Sequence, residues 1–123
     1  MKLILKLIIL IVLISFNSHA ITFGKYNFGE LVSMCKNKNN VKNYNYCRGL
    51  IDGITNILQA NCGEHKKGNY NGPFMAETRM PMKYLVYALT ASLEAKPEAK
   101  VVNGTLAARA IFVDLLPCVP PND

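Results

Sequence analysis

Four cysteines are the feature that most constrains the fold of this 123-residue chain. They are Cys35, Cys47, Cys62 and Cys118. An even number of cysteines in a small exported chain is typical of a disulfide framework, and four cysteines allow three pairings. None of the spacings is Cys-x-x-Cys, whereas zinc sites usually contain closely spaced ligand pairs. The sequence therefore predicts two disulfides and no metal site.

The first twenty residues have the three parts of a secretory signal peptide. Two lysines make the start basic, an apolar run covers residues 7–16, and small residues at Ser18 and Ala20 form a cleavage site. The apolar run is shorter than the roughly 20 residues that span a bilayer, and a retained membrane anchor is the alternative interpretation. We expect cleavage near Ala20 and export of residues 21–123 to the periplasm.

The mature chain is small and mildly basic. Its 103 residues (123 − 20) fit a single domain that buries only about 60–65% of its unfolded surface, so disulfides would add needed stability. Removing the two leader lysines from 14 basic residues leaves 12 against 8 acidic ones, a net charge of +4. The basic residues are scattered rather than interleaved with aromatics, which argues against nucleic-acid binding. An acidic partner or a solvated surface is consistent with this charge.

Apolar spacing predicts an all-α domain, a compact bundle of four helices without strands. The predicted helices cover residues 28–36, 44–60, 81–96 and 98–116. The apolar face predicted for the first helix is formed by Phe28, Leu31, Val32 and Cys35, the apolar stripe of the third by Met82, Leu85, Val86, Leu89 and Leu93, and the buried face of the fourth by Val101, Gly104, Ala108, Ile111, Phe112 and Leu115. Asn27 is the expected N-cap of the first helix, with Glu30 three residues later. The segments 37–45 and 64–80 are predicted to be loops. The second loop is long for so small a domain, and such loops often carry function.

The helix ends favour one pairing of the cysteines. Cys35 closes the first predicted helix and Cys47 opens the second, so the two meet in an antiparallel hairpin. Cys62 ends the second helix, and Cys118 follows the last one. We therefore predict the disulfides Cys35–Cys47 and Cys62–Cys118. On the chain-entropy estimate they add roughly 3 and roughly 4 kcal/mol to the free energy of unfolding.

Three glycines and one aspartate of the second helix have predicted structural roles. Gly49 and Gly53 share one face, which indicates close packing of another backbone, with a ligand-contacting face as the alternative. Asp52 lies between them, and a buried partner such as Arg109 would explain it. Gly63 is expected to cap the C-terminus of this helix.

Few residues suit catalysis. His65 is the one histidine of the mature chain, and its serine partner would be Ser33 or Ser92, neither of which lies in a nucleophile-elbow pattern. Assigning every cysteine to a disulfide leaves no activated thiolate. We therefore expect a binding protein rather than an enzyme, with no catalytic residue and no cofactor.

Short motifs follow one another in a characteristic order. They are Cys47-Arg48-Gly49-Leu50-Ile51-Asp52-Gly53, Lys96-Pro97-Glu98 and Leu116-Pro117-Cys118. Over about residues 28–118 the chain resembles the Rap/Tai family of small periplasmic immunity proteins associated with type VI secretion. The resemblance implies a compact all-α protein, often a homodimer, that binds and inhibits a peptidoglycan amidase toxin. The chain departs from the family in its longer, basic loop after Cys62 and in Lys96, where histidine or asparagine is usual.

Inhibition of a toxin needs a rigid scaffold and a projection that fills a cleft. The 64–80 loop is the first candidate, because Tyr70, Phe74 and Arg79 are residue types favoured at interface hot spots. The turn that begins at Lys96 is the second. The alternatives are a helical stress or chaperone-like protein that binds unfolded clients through apolar surface, and a protein that binds a ligand between its helices.

Overall fold

The computed structural model describes residues 24–77 and 79–118, so the predicted signal peptide lies outside the described residues. Within those ranges the chain forms four α-helices, one 3-10 helix and no strand beyond isolated bridges. The elements are α1 (Phe28–Lys36), α2 (Val41–Lys66), α3 (Met82–Ala95), the 3-10 helix (Pro97–Val101) and α4 (Gly104–Leu115). The predicted all-α, four-helix fold is confirmed. In this part of the chain no helix is both long and apolar enough to cross a membrane.

Helix α1 is short but lies at the centre of the domain, where it contacts α2, α3, α4 and the 3-10 helix. All four residues of its predicted apolar face are buried: Phe28, Leu31, Val32 and Cys35. The other helices add buried residues to the same core, which are Cys47, Ile51, Ile54, Leu58, Leu85, Leu89, Ala108 and Phe112. Helices α2 and α3 contact each other least, which leaves a cavity between them.

The predicted N-cap of α1 is confirmed. The side-chain oxygen of Asn27 accepts a hydrogen bond from the backbone N–H of Glu30 at 2.8 Å. Such a cap satisfies one of the amide donors that the first turn of a helix leaves without an intrahelical acceptor. The cap fixes where α1 begins.

Helix α2 is longer at both ends than the predicted 44–60. It begins at Val41 because the side chain of Asn40 accepts from the amide of Asn43 at 3.1 Å, which caps the helix earlier. It continues through Cys62 and Gly63 to Lys66, so the prediction that Gly63 ends the helix is wrong. The chain leaves the helix at Gly68, whose φ of +79° is a left-handed conformation that glycine adopts easily.

The predicted helix 98–116 is divided in two. The 3-10 helix ends at Val101, Val102 is extended, and α4 begins at Gly104 with Asn103 as its N-cap. The oxygen of the Asn103 side chain accepts from the amide of Leu106 at 3.2 Å.

Long-range backbone hydrogen bonds hold this division in place. The amide of Phe28 donates to the carbonyl of Val102 at 2.7 Å, and the amide of Gly104 donates to the carbonyl of Tyr26 at 2.9 Å. The bonds join the start of α1 to the start of α4. Val101 is consequently exposed rather than part of the buried face predicted for this helix, and Leu115 is also exposed.

Both predicted disulfides are confirmed. Cys35 and Cys47 join α1 to α2 with their Cα atoms 5.2 Å apart. Cys62 and Cys118 join α2 to the end of the described chain with their Cα atoms 5.7 Å apart. Although Cys62 lies inside α2 rather than at its end, it still faces the C-terminal segment.

The prediction that Gly49 and Gly53 allow close packing of another backbone is wrong. A Cβ atom built on Gly49 or Gly53 would meet nothing within 4 Å, so neither glycine permits a close approach of another backbone. Asp52 and Arg109 are both exposed, and among the described residues no ion pair joins them. Asp52 lies instead at a cavity.

Candidate functional site

The cavity between α2 and α3 combines polar and apolar walls. It has a volume of about 300 Å³. One wall is a face of α2, formed by Arg48, Asp52, Thr55, Asn56 and Gln59. The other comes from the loop and the start of α3 and is formed by Met75, Arg79, Met80, Met82 and Leu85. A cavity with convergent polar groups over an apolar wall is the usual form of a small-ligand site.

The mouth of this cavity carries both signs of charge. Arg48 and Asp52 are one turn apart on α2, and Arg79 comes from the loop. All three are exposed, and within the described ranges none of them forms an ion pair within 4.0 Å. Their charges therefore face solvent or a bound partner.

The loop between α2 and α3, residues 67–81, is tied to the domain at its middle. Met75 is fully buried, and its amide donates to the carbonyl of Leu58 on α2 at 3.2 Å. The next amide, of Ala76, donates to the carbonyl of Leu116 at 2.7 Å. An irregular loop with such a buried anchor has a defined conformation.

Two of the predicted partner-binding residues also hold this loop. Phe74 stacks on His65, with ring centroids 4.2 Å apart. His65 Nδ1 donates to the carbonyl of Tyr70 at 2.8 Å, and the ring of Tyr70 lies against Gly72, where a Cβ atom would collide with it. Tyr70 and Phe74 are half-buried and help to shape the loop.

The end of α2 is held by a small polar cluster. The Asn69 side chain donates to Oε2 of Glu64 at 3.2 Å, and Lys67 Nζ lies 3.3 Å from Oε1. These contacts, the one from Asn69 first, hold the pKa of the Glu64 carboxyl below its usual value. The cluster is exposed, so its role is to order the first residues of the loop.

The turn from Lys96 to Asn103 is largely exposed and packs closely on α1 at its base. No residue of its 3-10 helix is buried, and Val101 and Val102 expose 73% and 46% of their surface. At its base a Cβ atom on Gly29 would lie 3.1 Å from Cβ of Lys100, so the turn packs closely on α1. It presents apolar side chains on a backbone fixed at both ends.

The four predicted partner-binding residues fall into two groups. Tyr70, Phe74 and Arg79 belong to the loop before α3, whereas Lys96 follows α3. The 14 residues of α3 span about 21 Å, so this helix holds Arg79 and Lys96 at opposite ends. Both groups lie on the surface, but they are separate surfaces.

A shallow apolar groove runs between α3 and α4, with a volume of about 580 Å³. Its lining includes Tyr84 and Tyr87, both exposed, and Ala88, Ala91 and Leu115. Helical periodicity predicts a buried Leu115, which is exposed, and it does not predict this groove. The tyrosines were the available signal, because they fall outside the apolar stripe of α3.

In the part of the chain that is described, His65 forms no hydrogen bond to either candidate serine, and no metal-ligand cluster is found. No hydrogen bond there joins His65 to Ser33 or Ser92, because the ring of His65 is used by the loop. No group of three histidine, cysteine, aspartate or glutamate residues in this part could hold a metal ion. The absence of enzymatic activity stays a prediction.

Sequence reasoning missed two contributors to these surfaces. The motif does not indicate that Arg48 lines the cavity, and helical periodicity predicts a buried Val101, which is exposed. The spacing of Arg48, Asp52 and Asn56 at every fourth residue was the signal for a polar face on α2.

Comparison of the chain with protein-family models, with curated proteins and with solved structures found no match.

Proposed function

We propose that this protein is a periplasmic immunity protein that binds and inhibits a cell-wall amidase toxin of a type VI secretion system. The proposal rests on the ordered motifs that resemble the Rap/Tai family and on one structural observation. That observation is the turn 96–103, which exposes Val101 and Val102 on a backbone pinned to α1. A pre-organised projection loses little conformational entropy when it enters a cleft, which favours affinity.

The contact surface in this proposal is the turn rather than the loop. Tyr70 and Phe74 are half-buried and bind within the domain, so they have less surface to offer a partner. The side chains of Val101 and Val102 are exposed, while the backbone of Val102 holds the turn on α1, and Lys96 and Lys100 add positive charge beside them. We assign the loop residues Tyr70, Phe74 and Arg79 to a secondary contact. The homodimer implied by the family resemblance is tested by the mass of the protein in solution.

Capture followed by an activity assay tests the proposal. The mature, oxidised protein is used to purify partners from its own cells under secretion-active conditions. We expect a stoichiometric partner that cleaves peptidoglycan peptides and loses that activity when this protein is added. A captured partner without peptidoglycan activity, or one that stays fully active in the complex, would contradict the proposal.

Matched variants then locate the contact. Val101→Asp places a charge on the turn and is expected to weaken inhibition at least about tenfold. Val41→Asp is the control, because Val41 is 65% exposed at the first turn of α2, beyond the other end of α1. Arg79→Ala reports on the loop. An effect of Arg79→Ala that exceeds the effect of Val101→Asp would move the main contact to the loop.

The apolar groove between α3 and α4 favours the chaperone-like alternative. Exposed apolar surface of this kind binds unfolded clients without a dedicated partner. Suppression of the aggregation of several unrelated proteins at low pH, lost in Tyr87→Lys, would support that function.

A further inference from the structure

The cavity between α2 and α3 carries an inference that goes beyond toxin inhibition. We propose that this cavity binds an apolar α-amino acid in its zwitterionic form. The juxtaposition that carries the proposal is two arginines and one aspartate at the mouth of a pocket whose other wall is apolar. The turn 96–103 takes no part in this site.

The charges at the mouth select the ligand class. Arg48 and Asp52 lie one helical turn apart, and Arg79 comes from the loop on the opposite wall. A simple anion would pair with the guanidinium groups but leave Asp52 without a partner, and a simple cation would pair with Asp52 but be repelled by both arginines. A zwitterion satisfies both, since its carboxylate pairs with arginine and its ammonium group pairs with Asp52.

The interior of the cavity selects the side chain. Met75 and Leu85 are buried, and Met80 and Met82 complete an apolar wall. Methionine side chains adapt their shape to an aliphatic group. The Thr55 hydroxyl donates to the carbonyl of Ile51 at 2.9 Å. Its proton therefore does not need an acceptor on the ligand.

The size of the cavity limits the ligand to a small molecule. About 300 Å³ is at the lower end of the range for ligand sites, roughly 300–1,000 Å³. This volume holds one amino acid with an aliphatic side chain. We therefore take L-leucine as the probe.

Titration of isotope-labelled mature protein with L-leucine, followed by NMR, tests the proposal. We expect saturable shifts of the amides of Asn56 and Leu85, which lie on the two walls. Arg48→Gln and Arg79→Gln are each expected to raise the Kd by about tenfold to a hundredfold, the usual effect of losing a hydrogen bond to a charged group. Both arginines are exposed and outside any ion pair among described residues, so the variants should fold.

Two controls separate this site from general charge effects. Arg109→Gln removes the same charge from the exposed face of α4, away from the cavity, and should leave the Kd unchanged. N-acetyl-L-leucine lacks the ammonium group that pairs with Asp52 and should bind about tenfold more weakly.

Three results would overturn the proposal. They are the absence of saturable shifts up to about 10 mM L-leucine, an equal loss of binding in Arg109→Gln, and equal affinity for N-acetyl-L-leucine. Because none of these measurements involves a toxin, they leave the proposed inhibitory function to its own test.

Discussion

Glycine has opposite roles at different positions of this helical chain. A Cβ atom on Gly104 would lie 3.0 Å from the carbonyl oxygen of Tyr26 and 3.1 Å from that of Asn27, where the start of α4 crosses the start of α1. Gly49 and Gly53 have open space around them in the middle of α2. Only the first of these positions requires glycine for packing.

Alanine substitutions distinguish the two roles. Gly104→Ala should lower the free energy of unfolding by about 1–3 kcal/mol, because backbone atoms must move to admit the methyl group. Gly49→Ala and Gly53→Ala should each raise it by about 0.5–1 kcal/mol, because alanine favours the helix. Urea denaturation of the oxidised protein measures all three. A loss of stability in Gly49→Ala would instead indicate close packing on that face.

At the scale of elements, local signals predicted which segments are helical but not where each helix ends. The apolar stripe of α1 and its Asn27 cap lie in adjacent residues, so the sequence revealed both. The early start of α2 depended on Asn40, one of several asparagines that could have capped it. The break before α4 depends on hydrogen bonds between residues far apart in the chain, such as Phe28 and Val102, which helical periodicity does not register.

The candidate site could be predicted from the sequence only in part, because it too depends on contacts between residues far apart in the chain. Its loop was identified by length and composition, but the cavity forms where that loop meets α2. The position of Met75 is set by two backbone bonds to distant parts of the chain, from its own amide to Leu58 and from the next amide, of Ala76, to Leu116. Exposure, which decides whether Phe74 or Val101 can meet a partner, follows from these tertiary contacts.

The Cys62–Cys118 disulfide fixes the loop as well as the C-terminal segment. Replacing both cysteines by alanine should lower the free energy of unfolding by roughly 4 kcal/mol, against roughly 3 kcal/mol for the Cys35–Cys47 pair. The first variant should also speed hydrogen exchange at the amide of Ala76, because its acceptor, Leu116, is no longer tethered. Denaturation and NMR exchange measurements test both effects. Unchanged exchange at Ala76 would mean that the loop is held by α2 alone.

His65 should control the order of the loop rather than the stability of the whole domain. His65→Ala removes the ring stacked on Phe74 and the donor to the Tyr70 carbonyl. We expect faster hydrogen exchange across residues 69–77 and a loss of only about 1 kcal/mol in the free energy of unfolding. Lys66→Ala, which changes an exposed side chain next to His65 that forms no ion pair among the described residues, is the matched control and should leave that exchange unchanged. Equal exchange in the two variants would contradict this role.

At the scale of the whole molecule, stability and location are linked through the disulfides. Roughly 3 and 4 kcal/mol from the two bonds compare with a total of about 5–15 kcal/mol for a typical protein. Such bonds form and persist in oxidising compartments and not in a reducing cytosol. A chain whose fold depends on them to this extent is therefore suited to export, which agrees with the predicted leader.

Expression with and without the leader tests this link. The full chain, produced in a bacterium with a periplasm, should be recovered from the periplasmic fraction beginning near Ile21, with an intact mass lowered by the leader and by the four hydrogens lost in two disulfides. Ala20→Glu should retain the leader, because the cleavage site requires a small residue there. The chain without residues 1–20 should stay reduced in the cytosol and be degraded. Recovery of the uncleaved full chain from the membrane fraction would instead favour a retained anchor.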